Sequence, residues 1–217
     1  MQLFIDLDGT LLDISEKYYR LYADCVRLLG GTPIPKNRYW SLKRAKQPPS
    51  RILAASSLPE TKKQDYTSLF AKDIESPRYT SFDRLYTFAI PALEELKKRH
   101  ELYLVCGRKD HDAGMRQIAQ FGLGKFFLGI VVGRGDQNGE QFKRETIKRL
   151  CDPNNHFATI GDTEDDINCA TGLSGITVGV LSGLRNKKTL TTLSHPAYVI
   201  ADIRGLQALL DNIAKHE

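Results

Sequence analysis

The chain has 217 residues, 41% of them hydrophobic and 26% charged, and its 31 Lys and Arg against 26 Asp and Glu give a net charge of +5. That is ordinary for a globular protein with room for a good core, either one large domain or a main domain carrying a smaller one. With no membrane-length apolar run and no basic-then-apolar leader, a cytoplasmic location is expected and membrane association is not; the cations are dispersed without a nucleic-acid reading motif, so nucleic acid is not expected as a partner either.

The first strand is predicted over Leu3-Phe4-Ile5, a short apolar run of the kind buried on both faces of a parallel sheet. Helical spacing follows from Ser15 to Leu29, stopped by Gly30-Gly31. Asn37 to Lys46 reads as a short helix, basic on one side. Gln47-Pro48-Pro49-Ser50 reads as a break with Ser50 a candidate cap, and Pro59 to Ile74 as a second clear helix ended by Ser76-Pro77. No strand pattern interrupts residues 15–76. From Leu85 onward helices and short apolar strands alternate. Helices are predicted over Ala92 to Arg99 (opened by Pro91), Asp112 to Phe121, Gln141 to Leu150, Asp165 to Thr171 and Ile203 to Lys215. Strands are predicted over Glu101 to Cys106, Leu128 to Val132, Phe157 to Ile160, Ile176 to Val180 and Tyr198 to Ile200. Such alternation means βαβ units and a parallel sheet whose strand ends share one ligand-binding edge. The fold class expected is α/β, with residues 1–14 and 81–217 forming the core and residues 15–80 a helical insert.

Several of those strand ends carry reactive groups. The first runs into Asp6-Leu7-Asp8-Gly9-Thr10, and residues two apart in extended backbone point the same way. Two carboxylates so close repel and are costly to desolvate without a cation or hydrogen bonds. A divalent metal site with one carboxylate left for chemistry accounts for them better than an ordinary Asp8-Gly9 turn. The strand ending at Cys106 leads to Gly107-Arg108-Lys109, which offers backbone N–H groups and two cations to an anion. The strand ending at Ile160 leads to Gly161-Asp162-Thr163-Glu164-Asp165-Asp166. Glu164 and Asp165 there suit the positive end of the following helix. Asp162 suits an inward metal ligand with Asp166 as its supporting partner, and the hard oxygen set suits Mg²⁺. The four cysteines, Cys25, Cys106, Cys151 and Cys169, have no metal-ligand spacing and read as buried thiols in a reducing compartment.

With Asp6-Leu7-Asp8-Gly9-Thr10-Leu11 and the distal Gly161-Asp162-Thr163-Glu164-Asp165-Asp166 in this order, the chain resembles the haloacid dehalogenase-like superfamily. The resemblance implies a Rossmann-like core with a helical cap inserted after the first strand. It implies Asp6 as nucleophile, Asp8 as general acid and then base, and Mg²⁺ held by Asp6, the Asp8 main-chain carbonyl and Asp162. It further implies a phosphoryl-stabilising Lys, for which Lys143 fits better than Lys148, deeper in the same helix. An acidic residue at position 8 favours phosphate-ester hydrolysis or phosphomutase action over dehalogenation.

The sequence departs from the family where Cys106 stands in place of Ser or Thr. A thiol is the weaker donor, which shifts the expected phosphate contacts toward the Gly107 N–H and Arg108. A reactive-cysteine mechanism would need a histidine, and only His111 is near in sequence. The cap sets specificity in this family, and Lys43, Arg44 and Arg51 are candidates to bind a second anionic group of the substrate, against the plainer reading of a solvated basic helix face. The expectation is thus a Mg²⁺-dependent phosphatase of a small phosphorylated metabolite. The alternatives are a phosphomutase of the β-phosphoglucomutase type, or a binding or regulatory domain with weak catalysis, which Cys106 alone favours.

Overall fold

The computed structural model describes residues 1–135, 137–152 and 155–216. The chain forms two compact units, one of Met1–Asp13 with Leu85–Glu217 and the other of Ile14–Arg84. Its strands are β1 (Gln2–Ile5), β2 (Leu12–Asp13), β3 (Arg84–Leu85), β4 (Glu101–Cys106), β5 (Gly129–Val132), β6 (Phe157–Gly161), β7 (Ile176–Val180) and β8 (Tyr198–Ile200). Six of them make one sheet in the order β5-β4-β1-β6-β7-β8, with every neighbouring pair parallel. The two-residue β2 and β3 form a separate small sheet.

Position in the sheet explains composition. All four residues of the central β1 are buried, because helices cover both faces of a parallel sheet. Phe4 stacks on Tyr103 with ring centroids 5.2 Å apart and meets Phe157 edge-on at 5.9 Å, joining β1, β4 and β6 through one aromatic cluster with Ile147 and Cys169. Ile5 pairs with both Leu104 and Ile160, so the three central strands end nearly level. The chain builds outward from β1 through β4 and β5, then crosses back to build β6, β7 and β8 on the other side. Strand order therefore reverses beside β1, and the crevice at that point is where open α/β sheets bind ligands.

The second unit contains α1 (Ser15–Leu28), α2 (Lys36–Arg44), α3 (Pro49–Ala55), α4 (Lys63–Asp73) and α5 (Pro77–Thr80). Its core centres on Tyr22 and Tyr39, both fully buried and stacked 4.2 Å apart. The Tyr22 hydroxyl accepts the Ile34 N–H at 2.8 Å and lies 2.6 Å from Ser56 Oγ, so its polar end is satisfied inside the core. Lys17 and Asp83, near the two ends of this unit's sequence, form a buried ion pair at 2.9 Å.

The first unit adds α6 (Ala89–Lys97), α7 (His111–Gln120), α8 (Gly139–Leu150), α9 (Glu164–Asn168), α10 (Lys187–Ser194) and α11 (Leu206–Ile213). Where sequence reading and structure differ, helix-end chemistry is usually the reason. The Pro-Pro break begins a helix: Pro48 is the cap of α3 and Pro49 its first residue, so Ser50 is helical and not a cap. Likewise Ser76 caps α5 and Pro77 is its first residue, while α4 has already ended at Asp73. Pro91 lies in the first turn of α6, which begins two residues earlier at Ala89. The Thr- and Ser-rich α10 has weak intrinsic propensity and was not expected; it is started by Asn186, whose side chain accepts the Thr189 N–H at 2.8 Å. No helix of the described residues is long and apolar enough to cross a membrane.

Candidate active site

Asp6 is the first residue past β1 and Asp162 the first past β6, on adjacent strands. Asp166 lies in the first turn of α9, where Thr163 and Asp166 form a reciprocal capping box. Carboxylate oxygens of Asp6, Asp162 and Asp166 come within 4.8 Å of one another, and all three side chains are buried. The helix α8 brings in the balancing cation. Its cap Asn138 accepts the Gln141 N–H at 2.9 Å, and the stripe that buries Ile147 against the sheet also carries Lys143, one turn earlier, into the interior. Lys143 Nζ donates to Asp6 Oδ1 at 2.6 Å and also to Asp166 Oδ1. Lys148 is exposed.

One ammonium among three buried carboxylates leaves an excess of negative charge. Burial pushes the Asp6 carboxyl up to about 7, with Lys143 pulling down and Asp166 pushing up. Asp162 is raised well above the carboxylate range by burial and then by Asp166 and Asp6. For Lys143 burial acts to lower the ammonium, but Asp166 and Asp6 outweigh it and hold it above its ordinary value. Asp162 Oδ2 accepts the Leu184 N–H, whereas its Oδ1 is buried with no hydrogen-bond partner. A buried carboxylate oxygen is costly to leave unmatched, and three hard oxygen donors around it fit a small divalent cation such as Mg²⁺.

Asp8 does not join this trio through its side chain. Both of its oxygens are taken by Arg108, Nε to Oδ2 at 2.7 Å and Nη2 to Oδ1 at 2.6 Å, a bidentate fork. Arg108 is itself buried, while Gly107 beside it is exposed with only Lys143 Cε near its missing Cβ, at 3.7 Å. Cys106 ends β4, fully buried; burial and then the Asp8 charge push its thiol up to about 12. His111 faces Asp112, 3.0 Å away, and Arg134. In the helical unit the ammonium of Lys43 lies over the rings of Tyr18 and Phe70, at 5.0 and 5.4 Å. Arg44 is half-buried, and Arg51 is exposed and donates to Gln47 at 2.7 Å.

Sequence reading missed the loop after β7. Ser182 Oγ donates to the Gly9 carbonyl at 2.6 Å, Leu184 N–H to Asp162, and Arg185 forks onto Glu164 at 2.7 and 2.9 Å. The signal was present: the run Ser182-Gly183-Leu184-Arg185-Asn186 leaves a strand end as Gly107 and Asp162 do, at the same sheet edge. Glu164 was read as a helix-dipole residue; it also holds this loop.

A haloacid dehalogenase-like hydrolase family model matches residues 2–171. No curated protein matches the chain significantly. Among solved structures, a haloacid dehalogenase-like family hydrolase from Streptococcus pneumoniae superposes with a TM-score of 0.74 at 20% identity, covering 96% of this chain and 97% of its own. Protein Tyrosine Kinase A of Mycobacterium tuberculosis gives 0.72 at 20% identity with the same coverage. A predicted phosphoglycolate phosphatase from Haemophilus somnus gives 0.68 at 17% identity, covering 96% and 97%. At these identities the likeness is one of fold, and one fold hosts different chemistries. The family match spans both ends of the acidic constellation, from Asp6 to Asp166, and on that ground the chain belongs to the haloacid dehalogenase-like hydrolases.

Proposed function

We propose that the protein is a Mg²⁺-dependent phosphatase acting on a small phosphate monoester through an aspartyl-phosphate on Asp6. The observation that carries this reading is the buried meeting of Asp6, Asp162 and Asp166 around Lys143, with Asp162 Oδ1 left over for a cation. Asp6, the Asp8 main-chain carbonyl and Asp162 would hold Mg²⁺, with Asp166 fixing Lys143 behind them. The ion, when bound, offsets negative charge on the nucleophile and on the transferring phosphoryl group.

The remaining steps belong to the chain. A carboxylate oxygen of Asp6 attacks phosphorus, the ester P–O bond breaks, and the leaving oxygen takes a proton from Asp8. Lys143, 2.6 Å from Asp6, stabilises the charge that develops there. Asp8 then takes a proton from water as the water opens the acyl-phosphate and releases inorganic phosphate. For Asp8 to carry a proton, Arg108 must let go of it, and a guanidinium fork grips phosphate as well as carboxylate. Arg108 therefore exchanges from Asp8 to the incoming phosphoryl oxygens, assisted by the Gly107 N–H, and Cys106 serves as a weak donor at most. Residues of about 15–80 act as a cap that selects the substrate. Within it one or two of Lys43, Arg44 and Arg51 supply a cation for a second anionic group of the substrate.

The test is phosphate release from a panel of small phosphate monoesters, with Mg²⁺ or with EDTA, for the wild type and Asp6→Asn. Turnover that needs Mg²⁺ and falls to background in Asp6→Asn is expected. Absence of turnover across the panel would sink the phosphatase reading and leave a binding domain, and isomerised sugar phosphate in place of free phosphate would show a mutase.

A further inference from the structure

The loop after β7 is bonded to both halves of the acidic constellation. Ser182 Oγ holds the carbonyl of Gly9, on the turn that follows Asp6 and Asp8. Leu184 N–H holds Oδ2 of Asp162, and the Arg185 fork holds Glu164, two residues beyond it. Tyr86, from another segment, donates its hydroxyl to the Ser182 carbonyl at 2.8 Å and steadies the loop in turn. Between these contacts sits the buried Gly183, where a Cβ would lie 2.0 Å from Asp162 Oδ2 and 2.7 Å from the Gly9 Cα. A Cβ on Gly9 would itself lie 2.3 Å from the same oxygen. Two backbones thus crowd one carboxylate oxygen, and only glycine permits the approach. With Oδ2 held by the loop, Oδ1 of Asp162 is the buried oxygen left without a hydrogen bond.

We infer that residues 182–185 are a positioning clasp that fixes Asp162 and the Gly9 turn relative to one another and thereby sets the protein's affinity for its divalent cation. The residues touch neither substrate nor reacting atoms; they act through Asp162 and through the backbone that carries Asp6 and Asp8. Partners behind metal ligands commonly change affinity by 10- to 100-fold; here Leu184 bonds the ligand Asp162 itself, while Ser182 and Arg185 hold the Gly9 turn and Glu164 on either side of it in sequence. The inference rests on the metal site proposed above but not on the phosphatase reaction.

The experiment is calorimetric titration of the metal-free protein with Mg²⁺, for the wild type, Ser182→Ala, Ser182→Thr, Gly183→Ala and Arg185→Gln. Thermal unfolding in EDTA checks that each variant is folded. Expected is a loss of Mg²⁺ affinity of about tenfold in Ser182→Ala and Arg185→Gln and more in Gly183→Ala, with recovery in Ser182→Thr, which keeps the donor. Should Gly183→Ala fail to fold, the side-chain variants decide. Affinity within twofold of wild type in both Ser182→Ala and Arg185→Gln would overturn the clasp, as would a wild type that takes up no Mg²⁺ at millimolar concentration. Mg²⁺ binding that obeys the pattern in a protein without phosphate release would support the clasp and remove the phosphatase reading, so the two fail separately.

Discussion

Lys143 and Cys106 show how burial decides what a side chain can do. Lys143 is buried yet stays charged, because Asp6 and Asp166 repay its desolvation. Lys143→Met keeps the volume and removes the charge. Its turnover number is expected to fall about 100- to 1000-fold, the effect typical of removing one preorganised stabilising group. Unfolding of the metal-free variant is expected about 3–5 kcal/mol less stable, since the carboxylates lose their only close ammonium among the described residues. Steady-state kinetics and urea unfolding check the two effects. Cys106 is the opposite case: buried and pushed up to about 12, it stays a thiol at any ordinary pH. Iodoacetamide at pH 8 should leave Cys106 unlabelled in the folded protein while the more accessible Cys151 reacts first, as peptide mass mapping would show. Prompt labelling of Cys106 would revive a thiolate mechanism.

At the scale of elements, each site residue is held by the start or end of a strand or helix. β1 and β6 end level and deliver Asp6 and Asp162 side by side; α8 points Lys143 inward because Ile147, four residues on, must be buried. The helical unit depends on a different device, the polar end of Tyr22 inside its core. Tyr22→Phe removes the acceptor of the Ile34 N–H and the partner of Ser56, leaving a buried donor unmatched. It is expected to cost about 1–3 kcal/mol of stability, read from the urea midpoint at unchanged slope. A change below measurement error would mean that water or a shifted Ser56 replaces the hydroxyl.

For the whole molecule, the crowded carboxylates make stability depend on pH in an unusual direction. In metal-free protein Asp6 keeps its proton up to about 7, whereas the unfolded chain loses it near about 4. The native state therefore binds more protons across that window, and stability falls as pH rises from about 4 toward 7. Asp162, raised for the same reason, acts in the same direction. Saturating Mg²⁺ favours the ionised forms, so it should flatten this slope and raise the unfolding temperature, by the equivalent of about 2.7 kcal/mol at a hundred times its dissociation constant. Thermal unfolding across pH 4–8 with EDTA or Mg²⁺ reads both, and stability rising with pH in EDTA would contradict the charge distribution.

Much of this was legible in the chain itself. Alternating apolar runs specified the parallel sheet, because a strand covered on both faces has few polar options. Strand-end chemistry singled out Asp6 and Asp162, since carboxylates beside apolar strands call for a compensating partner, whereas Lys143 was picked out by the family resemblance. Short-range proline chemistry was legible too but was read as a break, where Pro48-Pro49 starts α3. What only the tertiary structure decided is pairing between residues far apart in sequence: Arg108 spending its fork on Asp8, Lys43 resting on Tyr18 and Phe70, and residues 182–185 closing on Asp162. Sequence fixes which groups lie at a strand's end through local backbone geometry. Which of them meet depends on strand order and on the packing of loops, where attraction, burial and the missing Cβ of Gly9 and Gly183 are settled together.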